Sequence, residues 1–222
     1  MNELEKQRKM LIESLVANGH IKSDQVKKAM MKVKRELFVL PEYKKVAYQD
    51  IPLPISSDAG GGTISQPTVH AMTLEGLRLK KGEKVLEIGC GSGILVAYIK
   101  EIVGKKGEVF GVEISKETYE FAKNNLKNSG YDKKVKLILG DGSVGLKEYA
   151  PFDKIAISAA APSLPEPIRK QTKIGGIIVA VIGTSNYNQE LIQFEKNDDE
   201  TFSKRNLGGV VFVSLRGEYG MK

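Results

Sequence analysis

One short stretch of the chain combines an acidic residue with glycines at alternate positions. Residues 84–104 read KVLEIGCGSGILVAYIKEIVG, and Glu87 precedes the alternating glycines Gly89, Gly91 and Gly93. Dinucleotide sites use G-x-G-x-x-G to bring the backbone close to a pyrophosphate at a helix N-terminus, but Ile94 stands where that third glycine belongs. Because the Glu87 carboxylate would repel a pyrophosphate and attract an ammonium group, the pattern favours a ligand that carries an amino acid. A tight strand-to-helix turn without a ligand is the alternative.

Two more carboxylates follow the next predicted strands. Glu113 ends the strand at residues 108–113, where it can accept hydrogen bonds from both hydroxyls of a ribose; a helix-capping role near Ser115 is the alternative. Asp141 and Gly142 follow the third strand, where the carboxylate could face an adenine amino group, although an Asp-Gly pair is also common in turns. Ligands gather at the carboxyl ends of strands in such sheets, so the three acidic residues predict one site.

Together these features resemble the nucleotide-binding pattern of S-adenosylmethionine-dependent methyltransferases. Their cofactor joins adenosine to an amino acid and a sulfonium and has no phosphate. The resemblance implies S-adenosyl-L-methionine as the cofactor, with Glu87, Gly89, Gly91, Gly93, Glu113, Asp141 and Gly142 as its binding residues.

The elements that would position these residues alternate along the chain. Predicted strands lie at residues 84–88, 108–113, 135–139, 153–158 and 176–182, and predicted helices at residues 93–103, 116–128 and 165–172. This order predicts an α/β fold with a doubly wound, Rossmann-like, mostly parallel sheet. The runs ELIQFEK and GGVVFVSL, at residues 190–196 and 208–215, predict antiparallel strands at the sheet edge.

The N-terminal third predicts a helical segment followed by a long loop. Helices are expected at residues 2–18 and 24–36, then a loop from Pro41 to Pro67 with little secondary structure, then a helix at 66–79. We expect a single methyltransferase domain over residues 1–222. Its parts would be the N-terminal helices and substrate and cofactor loop (1–65), the cofactor-binding core (66–183) and the C-terminal strands (184–222).

Composition narrows the function classes. Cys90 is the single cysteine, so an internal disulfide is excluded, and the two histidines, His20 and His70, form no zinc-ligand pattern, so no metal is expected. With no apolar run of membrane-spanning length and no signal-peptide core, a cytoplasmic protein without a membrane partner is expected. The formal charge of +7 is compatible with nucleic acid, but the lysines are scattered among glutamates, so no nucleic-acid partner is expected.

Several segments resemble the protein-L-isoaspartate O-methyltransferase family in order. They are AYQDIPLPI, GGTISQPTVHAMTLEGL, LGDGSVGL, APFDKIAISAAAPSLPEPIRKQTKIGGIIVAVIG and VVFVSL, so the resemblance covers residues 34–215. It implies methyl esterification of the free α-carboxylate of L-isoaspartyl residues in damaged proteins and peptides, which starts repair through a succinimide. The chain departs from the family at AGGG (residues 59–62), at Cys90 and at Ile94, which concerns the shape of the loop and the cofactor contacts.

The family resemblance also implies roles for four further residues. Ser65 would lie beside the cofactor and the acceptor carboxylate as the catalytic residue, and Thr63, Ile64 and His70 would be neighbours of the cofactor. An N-cap of the helix that starts at Pro67 is the alternative for Ser65. A partly buried helix residue is the alternative for His70.

Two other function classes are open at this stage. A tRNA or rRNA base methyltransferase would share the fold, but would be expected to carry Asn or Asp, two prolines and an aromatic after the fourth strand, where this chain has ISAAAPSLPEP. A non-catalytic interaction module would not be expected to keep Glu87, Glu113, Asp141 and the Thr-Ile-Ser segment together. An isoaspartyl carboxylate is already ionised at neutral pH, so the absence of a Cys-His or Ser-His pair is compatible with its methylation.

Overall fold

The computed structural model describes residues 2–56, 62–184 and 188–221. The helices are α1 (Glu3–Ala17), α2 (Asp24–Lys32), α3 (Pro67–Leu77), α4 (Ile94–Val103), α5 (Lys116–Asn128) and α6 (Glu166–Gln171). The strands are β1 (Leu53–Pro54), β2 (Thr63–Ile64), β3 (Lys84–Ile88), β4 (Glu108–Glu113), β5 (Lys136–Leu139), β6 (Phe152–Ala161), β7 (Thr172–Ile182), β8 (Glu190–Lys196) and β9 (Phe202–Gly209).

Seven of the strands form one sheet in the order β5-β4-β3-β6-β7-β8-β9. The first five of these run parallel, and β8 and β9 complete the edge in antiparallel pairing. The predicted fold class is confirmed. Chain order reverses between β3 and β6, and in open parallel sheets this switch point is where ligands bind, outside the carboxyl ends of the strands.

Apolar residues on both faces explain why the central strands are buried. Leu86 and Ile88 of β3 pack on one face with residues of β4 and β6, whereas Val85 faces the other side with residues of α3 and α4. Ile168 of α6 belongs to the same cluster as Leu86 and Ile88, so helices cover both faces, as continuous apolar strands require. Glu87 lies on the same face as Val85, because side chains alternate along a strand, and so its carboxyl group is directed into the packed interior.

Most predicted bounds in the core match the structure, but the N-terminal third differs. The second helix was expected to reach residue 36 and instead ends at Lys32, because Val33 is extended and buried and Arg35–Leu37 form a short 3-10 turn. The loop from Pro41 to Pro67 was expected to have little structure; it holds a 3-10 turn at Pro41–Val46 and the antiparallel pair β1 and β2. Residues 57–61, which include most of the AGGG departure, lie outside the described residues.

The last strand was predicted in the wrong place. Residues 202–207, which lie between the two predicted runs, belong to β9, in which Lys204 and Arg205 are exposed on the sheet edge. Residues 210–215, expected to be the strand, leave the sheet: Ala160 N donates to Val213 O at 2.9 Å, and Leu215 N donates to Ala160 O at 2.8 Å. Charged side chains suit an unpaired edge, and the apolar run instead crosses the carboxyl ends of the strands.

Helix α3, expected at residues 66–79, spans Pro67–Leu77, and Ser65 is not its N-cap. The capping position is Gln66, which makes no side-chain cap bond. The free amides of the first turn are satisfied from elsewhere, since Asp50 accepts hydrogen bonds from Thr68 N at 2.8 Å and from the Thr68 hydroxyl. The N-cap alternative for Ser65 is therefore wrong.

We expect Asp50→Ala to lower the free energy of unfolding by about 1 kcal/mol, since loss of a helix cap typically costs that amount. Asp50→Asn should retain most of the stability because asparagine also caps well. Ser65→Ala is the matched control and should unfold at the same denaturant midpoint as the parent. Equal losses in Asp50→Ala and Ser65→Ala in urea titrations would return Ser65 to a capping role.

Candidate active site

The glycine-rich loop between β3 and α4 has a backbone that only glycine adopts easily. Gly89, Gly91 and Gly93 have φ of 75°, 53° and 84°, in the left-handed region. Gly93 is also the N-cap of α4. A side chain at Gly93 would meet Leu126 Cγ at 3.2 Å, so strain and space both favour glycine there. The loop thus presents bare backbone at the carboxyl end of β3.

Glu113 joins this loop to the end of β4. Its Oε2 accepts a hydrogen bond from Gly91 N at 3.1 Å, and its Oε1 accepts one from Ser115 N at 3.0 Å. Ser115 caps α5 with its own hydroxyl, which accepts from Thr118 N. The helix-capping role that was the alternative for Glu113 therefore applies to Oε1 alone, since Oε2 bonds to the glycine loop. A carboxylate offers about four acceptor positions, so two remain for a ligand such as a ribose.

A main cleft of about 270 Å³ opens at the switch point of the sheet. Its walls come from the glycine loop, the ends of β4 and β6, the start of the turn after β5, and the C-terminal segment. Among its lining residues are Gly89, Gly91, Glu113, Gly142, Ser158 and residues 212–216. The sequence did not predict the C-terminal wall; the apolar run at 208–215 was the available signal, and it was interpreted as a strand.

Glu87 is the most unusual group of the site because its carboxyl group is buried and only half satisfied. The residue is 2 % exposed; Oε1 accepts a hydrogen bond from the Ser158 hydroxyl at 3.2 Å, and Oε2 has no hydrogen-bond partner among the described residues. Burial raises the pKa of Glu87 well above its usual value and the charge of Glu113 adds to this, whereas the Ser158 hydroxyl and the nearby backbone amide of Val96 act against it. A cationic donor at Oε2 would satisfy the group.

A small cavity of about 30 Å³ beside the main cleft brings Glu87 together with predicted residues of α3 and β2. Its lining includes Glu87, Ser65, His70, Thr63 and Ile64. Thr63, Gly89, Gly91 and Ser158 line both spaces, so the small cavity is the inner end of the main cleft.

Ser65 and Thr63 stand between the cofactor side of the site and the surface. The Ser65 side chain makes no hydrogen bond with a described residue, and it lines both the small cavity and an outer groove of about 570 Å³. The outer groove includes Pro52, Gln66, Val69 and residues 209–212. Thr63 is exposed and lines all three spaces, whereas Ile64 is 2 % exposed and anchors the segment in the core.

His70 is buried on α3, with its ring at the small cavity. Its Nδ1 lies 3.5 Å from Arg35 Nη1, and its ring meets the Tyr98 ring edge-on at a centroid distance of 5.9 Å. Burial lowers the pKa of His70 well below its usual value, and the charge of Arg35 lowers it further. The imidazole is therefore neutral at physiological pH. His70 is thus more fully buried on its helix than the alternative supposed, and it also lines the small cavity.

The two residues of the Asp-Gly pair after β5 have different positions relative to the cleft. Gly142 lines the main cleft, and a side chain there would lie 2.6 Å from Ile88 Cγ2. Asp141 is not among the residues that line the cleft; its oxygens accept hydrogen bonds from Ser143 N and Glu218 N, both at 2.8 Å. Partial burial raises the pKa of Asp141, but the Ser143 side chain and the backbone amides of Glu218 and Ser143 outweigh this, so the pKa lies below its usual value. The Asp141 carboxylate therefore holds the C-terminal tail in place.

No group of three or more His, Cys, Asp or Glu side chains is arranged to hold a metal ion in the part of the chain that the structure describes. No described helix is both long and apolar enough to cross a bilayer.

The fold, the glycine loop, the acidic strand ends and the half-satisfied carboxyl group define a methyltransferase of the S-adenosylmethionine-dependent class. The family model for protein-L-isoaspartate(D-aspartate) O-methyltransferase matches residues 6–220. The chain belongs to this family, as its resemblance in sequence suggested.

Curated relatives and solved structures agree with this family. The protein-L-isoaspartate O-methyltransferase of Methanothermobacter thermautotrophicus is 43 % identical over 97 % of this chain and 98 % of that protein. The Pyrococcus horikoshii enzyme of the same name is 44 % identical over 99 % of this chain and 97 % of its own. A solved protein-L-isoaspartate O-methyltransferase superposes with a TM-score of 0.87 at 32 % identity, covering 96 % of this chain and 67 % of that one.

A second solved structure bears on the cofactor. It is a putative protein-L-isoaspartate O-methyltransferase from Plasmodium falciparum in complex with S-adenosyl-L-homocysteine, with a TM-score of 0.81 and 30 % identity over 97 % of this chain and 99 % of that one. The cofactor of this chain is S-adenosyl-L-methionine, and the unpartnered Glu87 Oε2 fits the ammonium group of such a ligand.

We expect Glu113→Ala to raise the dissociation constant of S-adenosylhomocysteine about 10- to 100-fold, because charge-assisted bonds contribute about 1.5–3 kcal/mol. Glu113→Gln should lose less, since the amide oxygen still accepts from Gly91 N. Calorimetric titration of folded variants measures the change, and unchanged affinity in Glu113→Ala would remove this residue from the site.

The raised pKa of Glu87 gives cofactor binding a pH dependence of defined sign. Below that pKa the free protein holds a proton on Glu87, which must leave before the carboxylate receives an ammonium group, so affinity for S-adenosylhomocysteine should rise with pH and level off above the pKa. The limiting slope is about tenfold per pH unit.

Two variants separate Glu87 from other titrating groups in this experiment. Glu87→Gln should bind weakly and lose this pH dependence. Ser158→Ala removes a bond that lowers the pKa of Glu87, so the curve should move to higher pH. A wild-type affinity that does not change between pH 5 and pH 9 would contradict the assignment.

Proposed function

We propose that the chain methylates the free α-carboxylate of L-isoaspartyl residues in damaged proteins and peptides, using S-adenosyl-L-methionine. Its family supports the reaction. The observation that supports this use of the site is the position of Ser65, whose side chain is the boundary between the small cavity and the outer groove. The methyl donor and the acceptor carboxylate can then both lie next to the Ser65 hydroxyl.

The residues that would hold the cofactor are those of the main cleft and the small cavity. Glu87 takes the ammonium group at Oε2, Glu113 takes the ribose hydroxyls, and the bare backbone of Gly89, Gly91 and Gly93 allows close approach. Gly142 lies where an adenine would enter the cleft, and a contact of Asp141 with the adenine amino group stays a prediction. When bound, the cofactor supplies an electrophilic methyl group on sulfur.

The outer groove is the proposed place of the acceptor. An isoaspartyl α-carboxylate has a pKa of about 3–4, so it arrives ionised and needs no general base. Ser65 donates a hydrogen bond that orients one carboxylate oxygen, and Thr63 forms the adjoining wall. Buried Ile64 fixes both polar residues in place, and the apolar Val69 and Val211 help to keep water away from the reacting oxygen.

The esterified product accounts for repair by ordinary chemistry. The methoxy group of the ester leaves far more easily than an oxygen of the free carboxylate. The next backbone amide nitrogen therefore attacks the ester carbonyl and closes a succinimide. The bond to the methoxy oxygen breaks and methanol leaves with a proton from the amide. Hydrolysis of the ring then returns some normal aspartate.

Each of the three parts of the chain has its own role in this proposal. Residues 1–65 supply the N-terminal helices and the acceptor side, residues 66–183 the cofactor-binding core, and residues 184–222 the strands and the tail that covers the cleft, all in one domain. No nucleic-acid or membrane partner is proposed, and a cytoplasmic location stays a prediction.

A tRNA or rRNA base methyltransferase is not retained as a second function. The segment after β6 lacks the polar and aromatic pattern of such enzymes, and the hydroxyl of Ser158 is already bonded to Glu87. Ala160 and Ala161 are fully buried and offer no acceptor for an exocyclic amine.

We expect the enzyme to label a peptide with one isoaspartyl residue at least about 100-fold faster than its aspartyl twin, because the β-linkage displaces the carboxylate and a misplacement of about 1 Å costs that much. The label should be released as methanol by mild alkali, as an ester requires. Ser65→Ala should lower kcat while the dissociation constant of S-adenosylhomocysteine stays close to the parent value.

Two outcomes would contradict this proposal in different ways. An alkali-stable label on RNA, with none on either peptide, would overturn the reaction. Full turnover in Ser65→Ala would keep the reaction and remove Ser65 from it.

A further inference from the structure

The Arg35 side chain is buried without a carboxylate partner and reaches the edge of the active site. It is 1 % exposed, and its Nε donates to Ala47 O at 2.8 Å while Nη2 donates to Ile51 O at 3.5 Å. Among the described residues it has no carboxylate oxygen within 4 Å. Burial lowers the pKa of Arg35 to about 10, so the guanidinium is charged at neutral pH. Its third contact is His70 Nδ1, at 3.5 Å from Nη1.

The chemistry of the two groups fixes the proton on the imidazole. A guanidinium only donates hydrogen bonds, so His70 Nδ1 must be the acceptor and cannot carry a proton. The single ring proton of neutral His70 is then on Nε2. A second proton, which would have to enter at Nδ1, is opposed by the adjacent positive charge and by burial.

The other ring nitrogen is free to act in the small cavity. His70 Nε2 makes no hydrogen bond with a described residue, and the ring lines the cavity together with Ser65 and Glu87. The cavity therefore offers a neutral N–H donor and a carboxylate acceptor a short way apart. An amino acid in its zwitterionic form requires this pair, since its carboxylate takes donors and its ammonium group takes acceptors.

A protonated His70 would damage this arrangement. An imidazolium beside Glu87 would form an ion pair with it, and the carboxylate would no longer be available to an ammonium group. The titratable groups around the ring are Arg35, Tyr98 of α4, and Glu87 and Cys90 at the end of β3. Of these, Arg35 is the one that opposes a positive charge on the ring.

We propose that Arg35 is a positioning residue that locks His70 as the neutral Nε2–H tautomer, so that His70 donates to the carboxylate of the cofactor's amino acid while Glu87 receives its ammonium group. This inference rests on the proposed function for the cofactor contact, but the tautomer lock does not depend on it. It also gives the N-terminal segment a role, since Arg35 ties Ala47 and Ile51 to the site.

The chain offers an unusually clean test, because it has two histidines. His20 is partly exposed at a distance from the site in sequence, and His20→Gln leaves His70 as the single histidine to be followed by ¹⁵N NMR. We expect an unprotonated Nδ1 and a protonated Nε2 from pH 5.5 to pH 8. In Arg35→Lys the shorter side chain should not reach Nδ1, so His70 should become a mixture of tautomers and take up a second proton at higher pH. A proton on Nδ1, or mixed tautomers, in the parent protein would overturn the lock.

A double-mutant cycle tests the cofactor contact. Arg35→Lys should raise the dissociation constant of S-adenosylhomocysteine about three- to tenfold, less than the roughly 10- to 100-fold for complete loss of a hydrogen bond to a carboxylate, because part of the His70 population keeps its proton on Nε2. His70→Asn lacks a donor at the Nε2 position, and adding Arg35→Lys to it should cause no further loss. Equal losses in both backgrounds would show a merely structural role for Arg35 and would overturn the proposal.

Arg8 supplies the matched control. It is a second buried arginine, 8 % exposed, whose guanidinium lies 6.0 Å from the centroid of the Tyr48 ring in the same N-terminal cluster, and it makes no bond to His70. Arg8→Lys should leave both the His70 tautomer and the affinity for S-adenosylhomocysteine unchanged; a change in either as large as that in Arg35→Lys would overturn the proposal. Failure of the parent to esterify isoaspartyl peptides would overturn the proposed function and leave the tautomer result standing.

Discussion

The half-satisfied carboxyl group of Glu87 is the constraint on which the site depends. A buried carboxylate with an unbonded oxygen is costly, and a protein commonly avoids that cost by shifting the pKa and keeping the group neutral. Burial raises the pKa of Glu87 well above its usual value, and its Oε2 lacks a hydrogen-bond partner among the described residues. A cationic ligand at Oε2 would favour the charged form. The site is thus incomplete by one positive charge.

The other polar residues of the site do not supply the positive charge that Glu87 lacks. Each oxygen of Glu113 accepts one hydrogen bond, from Gly91 N of the glycine loop and from Ser115 N, which leaves two acceptor positions for a ligand. His70 is kept neutral, so it cannot supply the missing charge itself. Ser65 has no hydrogen-bond partner among the described residues and is free to face an acceptor. A cofactor with a cationic end and an anionic acceptor are the two species that such an arrangement accommodates.

Local patterns predicted the parts of the fold that depend on local sequence. The bounds of β3, β4 and α5 follow from apolar periodicity and matched, and the glycine spacing located the loop that lies under the cleft. Contacts between distant segments had no such signal. Nothing around Arg35 or His70 shows that they meet, and Asp50 caps a helix that begins 17 residues later.

The same limit explains the misplaced last strand and the unforeseen partners of Asp141. The run at 208–215 is as apolar as an edge strand, but its choice between the sheet and the cleft depends on contacts with Ala160 and Gln189. Asp141 is expected near the adenine because it follows a strand, and that contact stays a prediction; its hydrogen bonds from Ser143 N and Glu218 N had no signal in the sequence. The sequence pattern identified both segments, but it did not indicate which of their possible contacts they make.

The most direct test of this account is a carboxyl titration of Glu87 itself. Difference infrared or ¹³C NMR spectra, assigned by comparison with Glu87→Gln, would follow its protonation in the free protein and with S-adenosylhomocysteine bound. The account predicts a pKa well above the ordinary glutamate value in the free protein and a clear fall on binding. An ordinary pKa in the free protein, or one that the ligand leaves unchanged, would contradict it.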